Sequence, residues 1–97
     1  MRHFHRSTLA PDTVLASADR FFPALGLTPA PSDPRSRRFA GQLGALRLVV
    51  KMEGGHYTFV EAHTDQVGES RLDKNVKKFF VALHREADPR HRIEAGY

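Results

Sequence analysis

A chain of 97 residues with 40% hydrophobic content is long enough for one domain with a single core, and too short for two. It carries 15 lysines and arginines against 11 aspartates and glutamates, a balance that favours anionic partners such as nucleic acid. The lack of cysteine excludes disulfides, thiolate nucleophiles and cysteine-bound metals. No apolar run approaches the ~20 residues of a membrane span, and the first residues, Met-Arg-His-Phe-His, lack the apolar region of a signal peptide. We therefore expect a cytoplasmic protein without a membrane partner.

The first 35 residues predict one strand, one helix and a proline-rich connection. Modest alternation over residues 2 to 9 predicts the strand. Pro11 at a first helical position and Asp12 in the first turn mark the start of a helix. Its apolar residues recur at helical spacing to about residue 25, unless Pro23 kinks the helix or ends it early. Residues 28 to 35 contain three prolines and predict an ordered, extended loop that connects this helix to the sheet.

The middle of the chain predicts a meander over residues 36 to 42, 45 to 53 and 56 to 65, with turns at Leu43-Gly44 and Gly54-Gly55. A two-residue turn at Gly54-Gly55 places Val49 opposite Val60 and puts Phe59 on the face that the helices cover. A three-residue turn would reverse this parity and exchange Phe59 for Val60 in the core. We predict the two-residue turn.

A second helix is predicted from the N-cap residue Ser70 to the stop at Asp88-Pro89, with residues 89 to 97 as a frayed polar tail. The elements together predict one α+β domain over residues 1 to 97, of order β-α-β-β-β-α. Two helices cover one face of a four-stranded antiparallel sheet in this prediction. The predicted core consists of Val14, Phe22, Leu48, Val50, Phe59, Leu72, Val76 and Phe80.

This order of elements resembles the helix-grip superfold, in which helices pack on one face of a curved antiparallel sheet. The opening HRSTLAPDTVLASADRFF resembles the first strand and helix of START-like (SRPBCC) domains, and the closing RLDKNVKKFFVALH is similar to their final helix. The small number of predicted strands is closer to the TATA-binding-protein-like domain. That resemblance implies an open sheet face that binds nucleic acid through small, β-branched and basic residues.

The open sheet face is the first candidate site, because the predicted register aligns three cations there with no acidic residue and no aromatic side chain between them. We expect the cations to contact phosphates and the apolar residues to make sequence-tolerant contacts. The predicted binding residues are Arg38, Arg47, Val49, Lys51, Thr58 and Val60. The alternatives are a START-like small-molecule carrier and a self-associating protein, a homodimer or adaptor, that buries this face. No catalytic motif accompanies these residues, so we expect no enzyme activity and no cofactor.

A second candidate combines Glu61 and His63 on the helix side with His3 and His5, whose i, i+2 spacing on a strand suits a shared metal. Two interpretations stay open, a functional site and a structural polar cluster held by a basic residue of the first strand. We favour the structural one and predict no metal site.

The third candidate is the cationic surface of the last helix, which we interpret as a solvated face with an Asp73–Lys77 ion pair. It comprises Arg71, Lys74, Lys77, Lys78 and Arg85, followed by Arg90, His91 and Arg92.

Overall fold

A computed structural model describes residues 1 to 88, so the predicted tail over residues 89 to 97 lies outside the described residues. The strands and helices are β1 (Arg2–Ser7), α1 (Pro11–Phe21), β2 (Thr28–Ala30), β3 (Ser36–Gly41), β4 (Gly44–Glu53), β5 (Tyr57–Thr64) and α2 (Arg71–Ala87). A short 3₁₀ helix, Pro23–Leu25, follows α1. The strands form one antiparallel sheet in the order β1-β5-β4-β3-β2. The predicted α+β class is therefore confirmed.

The predicted strand count of four is wrong because the proline-rich connection contains the short strand β2. Its three residues pair with β3 through Thr28↔Ala40, Pro29↔Phe39 and Ala30↔Arg38. A proline has no N–H to donate, so it is tolerated at a sheet edge, where one side of the strand needs no partner. All three residues are exposed, so no alternation of burial reveals the strand in the sequence.

Helix α1 ends at Phe21, before the predicted boundary, because Pro23 starts a 3₁₀ turn. The chain leaves this turn at Gly26, whose φ of 90° is in the left-handed region. Phe22 lies between the two helical segments and is fully buried, with its ring centroid 5.3 Å from that of Phe39. The end of α1 thus positions Phe22 in the core, against β3.

Helix α2 begins as predicted, with the backbone N–H of Asp73 donating to the Ser70 Oγ at 3.0 Å. Its buried stripe is Leu72, Val76, Phe79 and Leu83. The predicted core position of Phe80 is only partly correct, because this ring is half-buried and packs on the edge of the core. Phe79 is the fully enclosed phenylalanine of this helix.

The turn between β3 and β4 falls one residue earlier than predicted, since Gly41 pairs with Gly44 and leaves Gln42-Leu43 as the turn. The strand register therefore shifts by two residues, and Phe39 lies opposite Leu46. A shift of two preserves the face of every side chain. Phe39 is consequently buried against the helices, as expected.

The turn between β4 and β5 contains three residues, and the predicted two-residue turn is wrong. Glu53 pairs with Tyr57, and both Gly54 and Gly55 have positive φ, at 65° and 76°. The parity of β5 is reversed, because an odd number of turn residues exchanges its two faces. Val60 is fully buried, whereas Phe59, predicted in the core, lies on the other side of the sheet.

The sheet has a core face and an open face, defined by the register and the alternation of burial. The two helices cover the core face, where side chains such as Leu48, Val50 and Ala62 are at most 1% exposed. The open face bears Arg2, Phe4, Arg6, Ser36, Arg38, Ala40, Ala45, Arg47, Val49, Lys51, Glu53, Tyr57, Phe59, Glu61 and His63. Within residues 1 to 88, no helix is long and apolar enough to cross a membrane.

Candidate nucleic-acid interface

Four basic residues stand side by side across the open face. The register pairs Arg2 with His63, His63 with Arg47, and Arg47 with Arg38. Neighbouring strands are about 4.8 Å apart, so this basic row extends across about 14 Å, perpendicular to the strands. Like charges directly opposite each other destabilise a sheet. The pairing of Arg38 with Arg47 therefore does not serve the stability of the fold, whereas Arg2 and His63 share the Glu61 carboxylate.

Three cations of the open face are not neutralised by acidic residues. Arg38, Arg47 and Lys51 are exposed and form no ion pair with any residue from 1 to 88. By contrast, Arg2 pairs with Glu61 at 3.0 Å and Arg6 pairs with Glu53 at 2.6 Å. The uncompensated charge is thus concentrated on β3 and β4.

A surface depression of about 470 Å³ runs alongside the basic row from β2 to the end of β5. Arg38, Arg47 and His63 line it together with the small side chains of Ala40 and Ala45, and the Asp65 carboxylate, which accepts a hydrogen bond from the Ala45 N–H at 2.9 Å, lies at its β5 end. These alanines occupy the cross-strand position next to the two arginines, where they leave the sheet surface open. The depression can therefore admit a flat or extended group within reach of two guanidinium groups.

An aromatic patch, formed by Phe4, Tyr57 and Phe59, lies beside the basic row. The ring centroids of Phe4 and Phe59 are 5.5 Å apart with an interplanar angle of 24°. Phe4 is 52% exposed and Tyr57 is 48% exposed. The Arg2 guanidinium lies 5.3 Å from the centroid of the Phe4 ring, and the Lys51 ammonium lies 5.5 Å from that of Phe59. Apolar rings and cations are thus interleaved on one surface.

Glu61 lies on the open face, so the prediction of a helix-side position is wrong. Its carboxylate accepts a hydrogen bond from the Arg2 guanidinium and lies 3.1 Å from the His63 Nε2. A basic residue of the first strand holds Glu61, as predicted, but this residue is Arg2 on the open face, whereas His3, His5 and Arg6 were the predicted partners. Burial raises the pKa of this carboxyl, but Arg2 and His63 outweigh that effect and hold the pKa below its ordinary value. Glu61 is therefore ionised at neutral pH.

The structure places only part of the predicted binding set on the open face. Arg38, Arg47, Val49 and Lys51 lie there, whereas Thr58 and Val60 are 1% and 0% exposed in the core. Their predicted place on the open face is wrong because the three-residue turn reverses β5. The expected lack of acidic and aromatic side chains is also wrong. The residues that the prediction missed are Arg2, Phe4, Arg6, Glu53, Tyr57, Phe59, Glu61 and His63.

The second candidate is divided by the sheet, since His3 and His5 lie on the core face and Glu61 and His63 on the open face. The His3 Nε2 lies 2.7 Å from an Asp73 carboxylate oxygen. The His5 ring stacks on Phe80 with a centroid distance of 5.0 Å. Within residues 1 to 88, no three histidine or carboxylate side chains are grouped so that they could hold a metal ion.

Asp73 and Lys77 do not pair, so that prediction is wrong. Asp73 is 1% exposed and accepts hydrogen bonds from Thr64 and Ser70 as well as from His3. Lys77 pairs instead with Glu69 at 3.2 Å. All five predicted cations of α2 are exposed, as expected for a solvated face. Arg90, His91 and Arg92 lie outside the described residues.

No protein-family model matches this sequence, and no curated protein matches it at a significant level. The function is therefore inferred from the geometry and charge of the open face.

Proposed function

We propose that this protein is a non-catalytic module that binds nucleic acid weakly, with little sequence preference, through the open face of its sheet. The observation that carries the proposal is the pairing of Arg38 with Arg47 in the register, with neither charge neutralised by any residue from 1 to 88. Two guanidinium groups on adjacent strands repel each other. A phosphate between them relieves this repulsion and accepts directional hydrogen bonds from both. Contacts of this kind to the backbone carry no sequence information.

The layout of the open face supports this proposal. The depression beside Arg38 and Arg47 gives a backbone room to approach the sheet, and Lys51 adds a third uncompensated cation. The helices lie on the opposite side, so nothing within residues 1 to 88 covers this surface.

The small-molecule carrier fits the geometry less well. A carrier needs an apolar cavity between helices and sheet, and this space is filled by closely packed side chains. Phe22, Leu48 and Phe79, for example, are at most 1% exposed. The nucleic-acid proposal therefore uses a surface that the fold leaves available, whereas the carrier would require the core to open.

Self-association through the open face is also disfavoured by charge. A two-fold symmetric contact places the same surface of each copy against the other. It would bury the uncompensated charges of Arg38, Arg47 and Lys51, and burying an unpaired charge is costly. The carboxylates that each copy brings to this face, Glu53 and Glu61, are already paired with Arg6 and Arg2. An anionic polymer satisfies the same residues without this cost.

The test is a titration of a fluorescently labelled oligonucleotide at several salt concentrations, followed by anisotropy. Replacing Arg38 and Arg47 together by alanine should weaken binding. It should also reduce the slope of log affinity against log salt by about 1.4 for single strands, or up to about 1.8 for duplex DNA, because two phosphate contacts are lost. The double variant should melt at or above the wild-type temperature, since a repulsive pair has been removed.

The matched control replaces Lys74 and Lys78 on α2 by alanine. This variant loses the same formal charge from exposed positions on the opposite side of the molecule. Its affinity and salt slope should stay close to those of the wild type. Equal effects in the two double variants would show that only net charge matters, and undetectable binding of the wild type at low salt would remove the proposal.

A further inference from the structure

The aromatic patch is placed one step along the strands from the basic row. Phe4 follows Arg2 by two residues on β1 and points to the same face. Two residues of a strand correspond to about 6.6 Å. A nucleotide whose phosphate contacts the basic row can therefore extend its base over the Phe4 and Phe59 rings.

Neither ring belongs to the core of the fold. Phe4 is 52% exposed and lies on the face opposite the core. Phe59 stacks against Phe4, and the charged groups of Arg6 and Lys51 lie over its ring, 5.4 and 5.5 Å from the ring centroid. Aromatic rings bordered by cations are the usual platform on which proteins stack unpaired bases, with the cations holding the adjoining phosphates.

A duplex cannot use this platform in the same way. Its bases are stacked on one another and expose only their edges in the grooves. A protein reaches the base faces of a duplex by inserting an isolated side chain as a wedge between base pairs. Phe4 and Phe59 pack against each other, so neither stands free as a wedge. A single strand, in contrast, presents whole base faces to the sheet.

We infer that the ligand of the open face is single-stranded nucleic acid, whose backbone follows the basic row and whose bases stack on Phe4 and Phe59. This inference rests on the proposed function and specifies its ligand. The uncompensated Arg38 and Arg47 receive phosphates at one end of the row. Arg2 and His63, already bound to Glu61, position the strand at the end where the rings begin.

The experiment compares three labelled probes of equal length with the wild-type protein: a mixed-sequence single strand, the corresponding duplex, and a strand of abasic nucleotides. The abasic strand has the same phosphates but no base to stack. The single strand should bind most tightly, and loss of the bases should weaken binding by about tenfold or more.

The variant Phe4→Ala isolates the stacking contribution. It should weaken binding of the normal single strand by about 5- to 100-fold and leave binding of the abasic strand unchanged. Phe4→Leu, which keeps an apolar contact with Phe59, should show a similar loss and rules out unfolding as the cause. The control is Val81→Ala, which removes an equally exposed apolar side chain from α2. It should bind all three probes like the wild type.

Two results would overturn the inference. Equal affinity for the single strand, the duplex and the abasic strand, with no effect of Phe4→Ala, would leave a purely electrostatic nucleic-acid surface and the proposed function intact. Absence of binding to every probe at low salt would overturn the inference and the proposed function together.

Discussion

Asp73 shows at the residue scale how one side chain joins three elements. This carboxylate, in the first turn of α2, accepts hydrogen bonds from His3 on β1, Thr64 at the end of β5 and its own N-cap Ser70. Burial alone would raise its pKa, but these hydrogen bonds outweigh burial and hold the pKa below the ordinary value of 3.8. The charged form therefore stabilises the folded state.

Replacing Asp73 by asparagine should lower the free energy of unfolding by about 2 to 3 kcal/mol at neutral pH, because hydrogen bonds to a charged acceptor are lost. The folded pKa of this group is depressed, so its stabilisation is present above pH 3.8 and is lost as the pH falls through the folded value. Urea unfolding at neutral pH and at about pH 3 should show the gap between wild type and variant narrowing in acid. If the difference in free energy of unfolding between wild type and variant did not change with pH, the charged form of Asp73 would not stabilise the folded state.

His5 is the complementary case, a base that folding keeps neutral. Burial, followed by the charge of His84, lowers its pKa below 6.5, and its Nε2 is buried without a hydrogen-bond partner within residues 1 to 88. The unfolded chain therefore takes up a proton below pH 6.5 that the folded chain does not, so His5 reduces stability as the pH falls through that range.

Replacing His5 by phenylalanine should raise the free energy of unfolding by about 1 kcal/mol at neutral pH, since the unsatisfied nitrogen is removed and stacking on Phe80 is retained. The melting temperature should increase by about 4 to 8 °C. The difference in free energy of unfolding between the variant and the wild type should increase on acidification from about pH 7 to about pH 5. A lower melting temperature at neutral pH would indicate that the imidazole has a partner.

At the scale of elements, the sequence of β5 contained evidence for which of its residues face the core and which lie on the open face. A two-residue turn places Glu61 and His63 in the core, where each ionisable group needs a partner to offset its desolvation. The three-residue turn places Thr58, Val60, Ala62 and Thr64 there, with no ionisable group. The free-energy cost of burying Glu61 thus favoured the observed register. The apolar side chain of Phe59 favoured the other register, because that register places Phe59 in the core.

The corrected register predicts unequal costs for two phenylalanine truncations. Phe79→Ala should lower the free energy of unfolding by about 3 to 5 kcal/mol, because this ring is 1% exposed and packs against Phe22. Phe59→Ala should cost only about 1 kcal/mol, mainly for its contact with Phe4. Thermal melts of both variants compare the two positions directly. Similar losses would favour the two-residue turn and contradict the observed faces of β5.

At the scale of the whole molecule, the helices and the three meander strands were predictable because their periodicity or turn residues are clear. The strand β2 was not, because three exposed residues with a proline leave no pattern. The open face was predicted as a basic surface from β3 and β4, and Arg38 and Arg47 lie there. The residues that β1 adds to the open face could not be predicted. The contact of Arg2 with Glu61 depends on the pairing of β1 with β5, and these two residues are 59 positions apart in the sequence.

The two edges of the sheet have unequal capacity to accept another strand. Edge strands expose unpaired backbone groups that can template the addition of a further chain. On the β2 side, Pro29 supplies no N–H and Pro31 directly follows the end of the strand, which makes this edge a poor template. On the β1 side, the six residues Arg2–Ser7 contain no proline. Any extension of the sheet would therefore take place beside β1, and an antiparallel pairing of two copies there would place both basic faces on the same side of one continuous sheet.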